Sequence, residues 1–340
     1  MEIEKSFAPT IIGMWQVSGG HGKIDNSHAV EEMYRYFKSG FHQWDLADHY
    51  GPAEDFIGEL RKIILERDGE NELSKLKAFT KWVPTDLKTR WTLNVDYSLK
   101  YVEDQIDISL KRMNVEKIDL LQFHWWDYED PRLYKALDNL QKLNEKGKID
   151  QIGLTNFSLE SLKKIIEKGY KITSHQVRFS LTDARVKTEM LEYCYHHNIH
   201  LLAFGTIASG FLSNRWLNQN EPLEKDLNRG QFVHKKLIDR LGGWEKFQEL
   251  LCILNKIAFK YKASISNIAS KLILDQNSST SVIIGARLSL SEHIKDNINL
   301  NLLNIPEAEF DTLNEFLTSH SKILLEDLGD IGSEYRGSSL

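Results

Sequence analysis

Between about Thr10 and Asn297, short apolar runs rich in β-branched and aromatic residues alternate with amphipathic stretches of helical period. That alternation is the pattern of a parallel sheet whose strands are joined by helical crossovers. The candidate strands are Ile11 to Val17, Gln43 to Ala47, Ala78 to Val83, Ile118 to His124, Gln151 to Thr155, Thr173 to Val177, Ile199 to Phe204 and Val282 to Gly285. Eight such units predict an α/β fold of the (β/α)8 TIM-barrel type, and 340 residues are enough to build it. We therefore expect one domain over 1–340, with the barrel core at about 10–300.

The crossovers carry their own signals. Val95, Leu99, Val102, Ile106, Leu110 and Met113 fall on one helical face, as do Leu133, Leu137, Leu140 and Leu143, after which Gly147 supplies a helix stop. Ser158 is placed to cap the next helix. After the seventh strand the chain is long and polar from Phe211 to about Gly243, which reads either as a loop covering the active site or cofactor or as a tolerated surface insertion. Pro306 opens an extra C-terminal helix with Phe310, Leu313, Phe316 and Leu317, and the tail to Leu340 is expected either to be disordered or to fold over the barrel mouth.

Charge and cysteine usage narrow the function. With 43 basic against 49 acidic residues and a net charge of −6, nothing attracts nucleic acid or an anionic membrane. Cys194 and Cys252 suit neither a disulfide framework nor a zinc site, so no metal is expected and a cytoplasmic, reducing setting fits. The polar start, Met1 to Lys5, lacks the pattern of a signal peptide, and no apolar run approaches membrane-spanning length. Gly19-Gly20-His21-Gly22-Lys23 fails the phosphate-loop pattern because Ile24 follows the lysine, leaving a flexible loop as the better reading. His196, His197 and His200 lack metalloprotease spacing and are expected at a solvated helix end. Nothing in the sequence specifies an oligomeric state.

In a barrel of this kind the chemistry gathers where the strands end. Asp45 closes the second strand and Tyr50 follows in its loop, Lys81 closes the third and His124 the fourth. A phenol of pKa about 10 donates a proton poorly at neutral pH unless a cation stands near it. Lys81 can be that cation, Asp45 can keep it charged, and His124 can orient a substrate oxygen. Singly, each has a plain structural role: an ion pair, a packed aromatic, a core histidine. Trp15, Trp82, Trp125 and Trp126 at strand ends suggest an aromatic substrate pocket, with ordinary core packing as the alternative.

These residues resemble the aldo-keto reductase family over about Gly13 to Asn297. Asp45-Leu-Ala-Asp-His-Tyr50-Gly51, followed by Glu54 and Gly58, is similar to the family's segment bearing the catalytic Asp and Tyr, and Gly147-Lys148-Ile149 leading to Ile152-Gly153-Leu154-Thr155-Asn156-Phe157 resembles its fifth-strand signature. The resemblance implies a catalytic tetrad at Asp45, Tyr50, Lys81 and His124. It implies reduction of an aldehyde or ketone to an alcohol by hydride from NADPH, with NADH as an alternative. Thr155, Asn156 and Gln176 would meet the nicotinamide carboxamide and Phe204 its ring. Met14, Trp15, Gly205 and Thr206 would line the cofactor, and Ala286, Arg287, His293 and Asn297 would reach its adenosine end. Leu46 stands where the family commonly has Thr, Thr155 where it has Ser, Phe204 where it has Tyr, Gly205 for a frequent Ser, and His293 for Arg. A Schiff-base aldolase using Lys81 and a cofactor-holding regulatory module with little turnover are the competing functions.

Overall fold

The protein is described by a computed structural model that covers residues 7–19, 24–85, 92–187, 189–325 and 329–333. Its strands are β1 (Thr10–Gly13), β2 (Gln43–Asp45), β3 (Lys77–Trp82), β4 (Ile118–Phe123), β5 (Ile149–Thr155), β6 (Ser174–Arg178), β7 (His200–Phe204) and β8 (Thr280–Gly285). All neighbours pair in parallel, and β1 closes on β8 with Thr10 opposite Val282 and Gly13 opposite Gly285. The expected eight-stranded barrel is therefore the observed one.

The crossovers between β1 and β4 are α1 (Asn26–Lys38), α2 (Ala53–Asp68) with the short α3 (Glu70–Leu73), and α4 (Leu99–Met113). Those between β4 and β7 are α5 (Arg132–Glu145), α6 (Leu159–Glu167) and α7 (Met190–His196). Helix α4 buries Val102, Ile106, Leu110 and Met113, as its periodicity requires, but starts at Leu99 because Ser98 caps it, which leaves Val95 in the preceding loop. Helix α6 is capped by Ser158, whose hydroxyl accepts from the Ser161 N–H.

Most strand ends shift by a residue or two, and three features depart further from expectation. Strand β1 ends at Gly13, four residues before Val17, because Trp15–Ser18 forms a 3-10 turn. The segment after β7 is not irregular throughout: Arg229–Arg240 forms a helix, α8, started by a capping box in which Asn228 and Gln231 bond reciprocally. His200 lies on β7 rather than at a solvated helix end, stacked on Phe7 at 4.5 Å and 2.7 Å from the Ser281 hydroxyl.

Helices α9 (Gly243–Lys260) and α10 (Ile265–Leu274) lead into β8, and α11 (Ile294–Leu302) follows it. Past Pro306 a 3-10 turn over Glu307–Phe310, with Phe310 buried, leads into α12 (Asp311–Leu325), where Leu313 is buried. Residues 329–333 return to the barrel, with Arg185 Nη1 donating to the Asp330 carbonyl at 2.9 Å and Ile331 buried. The rest of the tail and the glycine-rich Gly20–Lys23 lie outside the described residues. Among the described residues no helix is long and apolar enough to cross a membrane.

Two apolar layers result. Residues facing the helices join them in one large core, while Phe7, Ile11, Phe79, Leu120, Leu202 and Ile283 fill the barrel's lower interior. Above that plug, the inward positions of β3 and β4 turn polar, while β1 and β8 present Gly13 and Gly285 and β7 presents Phe204.

Candidate active site

Side chains on a strand alternate between its two faces, so the residue two places beyond each plug residue points to the same interior. Phe79 is thus followed by Lys81, and Leu120 by Gln122. Strand β2 brings Asp45 opposite Phe79, and β6 brings Gln176 opposite Thr155. These residues form one buried network. Lys81 Nζ donates to both Asp45 oxygens at 2.7 Å and to the Leu46 carbonyl at 2.9 Å. Gln122 Nε2 and Gln176 Nε2 donate to Asp45 Oδ1 at 2.8 and 2.7 Å, and Gln176 Nε2 also lies 2.7 Å from Gln122 Oε1.

The three acceptors around Lys81 match the three hydrogens of an ammonium. Burial draws its pKa below the ordinary lysine value, and the Asp45 carboxylate opposes that shift. Lys81 Nζ sits 5.0 Å from the centre of the Tyr50 ring. Tyr50 is framed by two further rings, Trp15 edge-on at 5.0 Å and His49 edge-on at 4.8 Å. Gly51 makes the turn after Tyr50 possible: its φ is +56°, and a Cβ there would come within 3.2 Å of the Val17 carbonyl oxygen.

His124 follows β4 and is buried. Burial, chiefly, pushes its pKa down to about 3, with the nearby Lys81 charge acting in the same direction, so the ring is neutral at physiological pH. Trp126 Nε1, which can only donate, reaches His124 Nδ1 at 3.3 Å. The hydrogen of the neutral ring is therefore on Nε2, which makes His124 a hydrogen-bond donor on its other side.

The tryptophans divide. Trp15 is 42% exposed beside Tyr50, and Trp126 is half-buried beside His124. Trp82 and Trp125 are not brought to the mouth. They are buried in the helix-facing core against Phe123 and Tyr97, because they neighbour the inward Lys81 and His124 and so face outward. Gln122, not singled out from sequence, belongs to the network; its signal was a lone amide at the inward parity of an apolar strand, two places before His124.

A second arc of residues runs around the rim. Thr155 and Asn156 follow one another at the end of β5, the latter at φ +56° with its N–H on the Gln176 carbonyl at 2.9 Å. Phe204 ends β7, Gly205 follows at φ +74°, and the Thr206 hydroxyl lies 2.9 Å from that of Ser270. Met14 and Ala286 are buried at the ends of β1 and β8, with the Ala286 N–H on the Gly13 carbonyl. Arg287 is exposed, and His293 Nε2 lies 2.9 Å from the Ser291 hydroxyl. Thr155 Oγ1 and Asn297 Nδ2 are buried without a hydrogen-bond partner, which is costly for polar atoms unless a bound group completes them.

A sequence model of the Aldo/keto reductase family matches residues 9–318. The chain is 25% identical over 320 residues to the L-glyceraldehyde 3-phosphate reductase of Escherichia coli strain K12, covering 90% of this chain and 88% of that protein. It is 21% identical over 330 residues to the NADH-specific methylglyoxal reductase of the same strain, covering 89% and 93%. Its fold matches that of a glycerol dehydrogenase from Gluconobacter oxydans with a TM-score of 0.72, at 23% identity and 92% coverage of both chains. An aldo-keto reductase from Klebsiella pneumoniae, solved in complex with NADPH, matches with a TM-score of 0.66 at 16% identity, covering 91% of this chain and 90% of that one.

Proposed function

The chain belongs to the aldo/keto reductase family and is an NAD(P)H-dependent oxidoreductase of carbonyl compounds, and on that premise we propose that Tyr50 is its proton donor. The observation that carries this reading is the Asp45-held Lys81 ammonium 5.0 Å from the Tyr50 ring. A fixed cation there stabilises the phenolate left when Tyr50 gives its proton to the carbonyl oxygen. His124, donating through Nε2, orients that oxygen. Lys81 as a Schiff-base nucleophile would need a neutral amine, which its three acceptors disfavour.

When bound, a reduced nicotinamide supplies the hydride. Thr155, Asn156 and Gln176 would hold its carboxamide and Phe204 its ring face. Met14, Trp15, Gly205 and Thr206 would line its length, with Ala286, Arg287, His293 and Asn297 at the adenosine end. The unpartnered Thr155 Oγ1 and Asn297 Nδ2 fit such a group at both ends of the arc. Trp15 and Trp126 would border the substrate. We read 1–340 as one catalytic domain, working in the cytoplasm, where the free thiols Cys194 and Cys252 are at home.

Replacing Tyr50 with Phe tests the donor: turnover of an aldehyde should fall about 10²- to 10⁴-fold with cofactor binding intact. Wild-type turnover in Tyr50→Phe would remove the assignment. For cofactor choice our reading is NADPH, through Arg287. Glu292, the carboxylate that could have occupied Arg287, is instead 3.8 Å from Arg35. A charge-assisted bond to the 2′-phosphate is worth roughly 1.5 to 3 kcal/mol, or about 10- to 100-fold in affinity. Arg287→Ala should therefore weaken NADPH by that factor and leave NADH unchanged when Kd is measured by fluorescence quenching. An unchanged ratio would take Arg287 out of the site.

A further inference from the structure

Behind the Tyr50 loop, away from the barrel axis, lies a polar cluster that the reaction described above does not use. Its centre is Glu54, which stands in the first turn of α2 yet is only 1% exposed. Glu54 Oε1 accepts from the Thr80 hydroxyl at 2.7 Å, Ser109 also bonds the carboxylate, and Oε2 accepts from Arg112 Nη1 at 3.2 Å. The same Arg112 nitrogen donates to the Asp48 carbonyl at 3.3 Å.

Each of these partners is one step from the chemistry. Thr80 precedes Lys81 on β3. Asp48 lies in the loop that carries Tyr50, and its carboxylate is itself tied to the Val83 N–H at 3.2 Å and to His49 Nδ1 at 2.7 Å. The Ala53 N–H closes the turn on the Tyr50 carbonyl at 3.2 Å. Arg112 is held over the loop by the approach of α4 to α2 at Gly58, where a Cβ would lie 2.3 Å from the Arg112 carbonyl oxygen. Glu54 thus joins the strand that bears Lys81, the loop that bears Tyr50 and the helix behind both.

A carboxylate is an expensive choice for this place. Burial pushes Glu54 above the usual carboxylate range, against the bonds from Thr80, Ser109 and Arg112. An amide could satisfy Thr80, but an anion also holds the guanidinium by a charge-assisted bond, roughly twice as strong as a neutral one.

We propose that Glu54 is a positioning residue for proton transfer: through Arg112 and Thr80 it fixes the Asp48–Tyr50 loop relative to Lys81, and so sets where the Tyr50 hydroxyl meets the carbonyl oxygen. The proposal rests on Tyr50 being the donor. Glu54→Gln preserves shape and the acceptor for Thr80 but turns an NH₂ toward Arg112, so the clamp on the Asp48 carbonyl is released.

The test uses the full chain with Glu54→Gln, Arg112→Met, their combination, Tyr50→Phe, and Lys111→Ala as a surface control. The readouts are kcat and KM for an aldehyde, cofactor Kd, melting temperature and the solvent deuterium isotope effect on kcat. Misplacing a reacting group by about 1 Å costs on the order of 10²-fold, so Glu54→Gln should lose about 10- to 100-fold in kcat. KM and cofactor Kd should stay unchanged, and the solvent isotope effect should rise as proton transfer becomes limiting. Arg112→Met should behave alike, and the double variant should fall no further than the worse single. A loss of kcat that tracks the folded fraction with an unaltered isotope effect would reduce Glu54 to a structural residue and overturn the proposal, as would retained kcat. Should Glu54→Gln fail to fold, Arg112→Met, whose side chain is 40% exposed, decides by the same readouts. Activity surviving Tyr50→Phe sinks the donor assignment itself. Activity lost in Tyr50→Phe but kept in Glu54→Gln and Arg112→Met sinks only the clamp.

Discussion

The floor and the mouth of the barrel are made by the same strands, two residues apart, yet they obey different rules. On β3 the floor takes Phe79 and the mouth Lys81; on β4 they take Leu120 and Gln122. The floor is filled by area, with Phe7 edge-on to Phe79 at 5.5 Å, and burial of that kind is indifferent to direction. In the mouth every buried polar atom needs a partner at a set distance, so residue identity matters where in the floor only volume does. Along a single strand, therefore, the floor serves stability alone while the mouth serves catalysis as well.

The largest test of that division is Lys81→Met. It should lower turnover about 10²- to 10⁴-fold and also destabilise the fold by about 3–5 kcal/mol, since the Asp45 carboxylate would stay buried with only amide partners. Adding Asp45→Asn should restore part of the stability in urea unfolding and none of the turnover. A double variant as unstable as the single would show that the two charges are not coupled. Leu120→Ala is the counterpart in the floor, with an expected loss of about 2–5 kcal/mol and a kcat per folded molecule equal to wild type. A reduced kcat there would erase the distinction between layers.

A third test is in acid. His124 in the mouth and His175, whose Nε2 accepts from the Phe157 N–H at 3.1 Å, are both pushed down to about 3, chiefly by burial. Unfolded, each would bind a proton below about pH 6.5. Their stabilising effect is thus complete above that pH and is lost as pH falls toward 3, at up to about 1.4 kcal/mol per pH unit for each ring. His124→Gln and His175→Gln should flatten the acid limb of a melting-temperature profile equally, and only His124→Gln should lower turnover. Equal loss of turnover in both would place His175 in the reaction as well.

Much of this was legible beforehand, and the exceptions have physical reasons. The eight runs gave the barrel, and polar residues at their ends gave Asp45, Tyr50, Lys81 and His124. Position at a strand end leaves Trp82 and Trp125 open to either the mouth or the core, and the parity that turns Lys81 inward turns its neighbour outward into the core. The same parity would have found Gln122. Asn228 and Gln231 carried a readable helix start inside what read as a loop. The 3-10 turn at Trp15–Ser18 had no such signal, because its apolar residues continue the strand pattern while the chain has already bent away from β8. The Glu54 cluster depends on α2 meeting α4 at Gly58, a contact between distant segments that no local spacing encodes.

Closure of the barrel by β1 on β8 also fixes when it can form. Thr10 pairs with Val282, and the Ser281 hydroxyl donates to the Ala8 carbonyl, so the first strand made during synthesis waits for the last. At about 5–20 residues per second that interval lasts on the order of tens of seconds. Throughout it, β1 presents an unpaired edge and an apolar face to whatever else is in solution, and the nascent chain is then at its most exposed to wrong pairing and to chaperone capture.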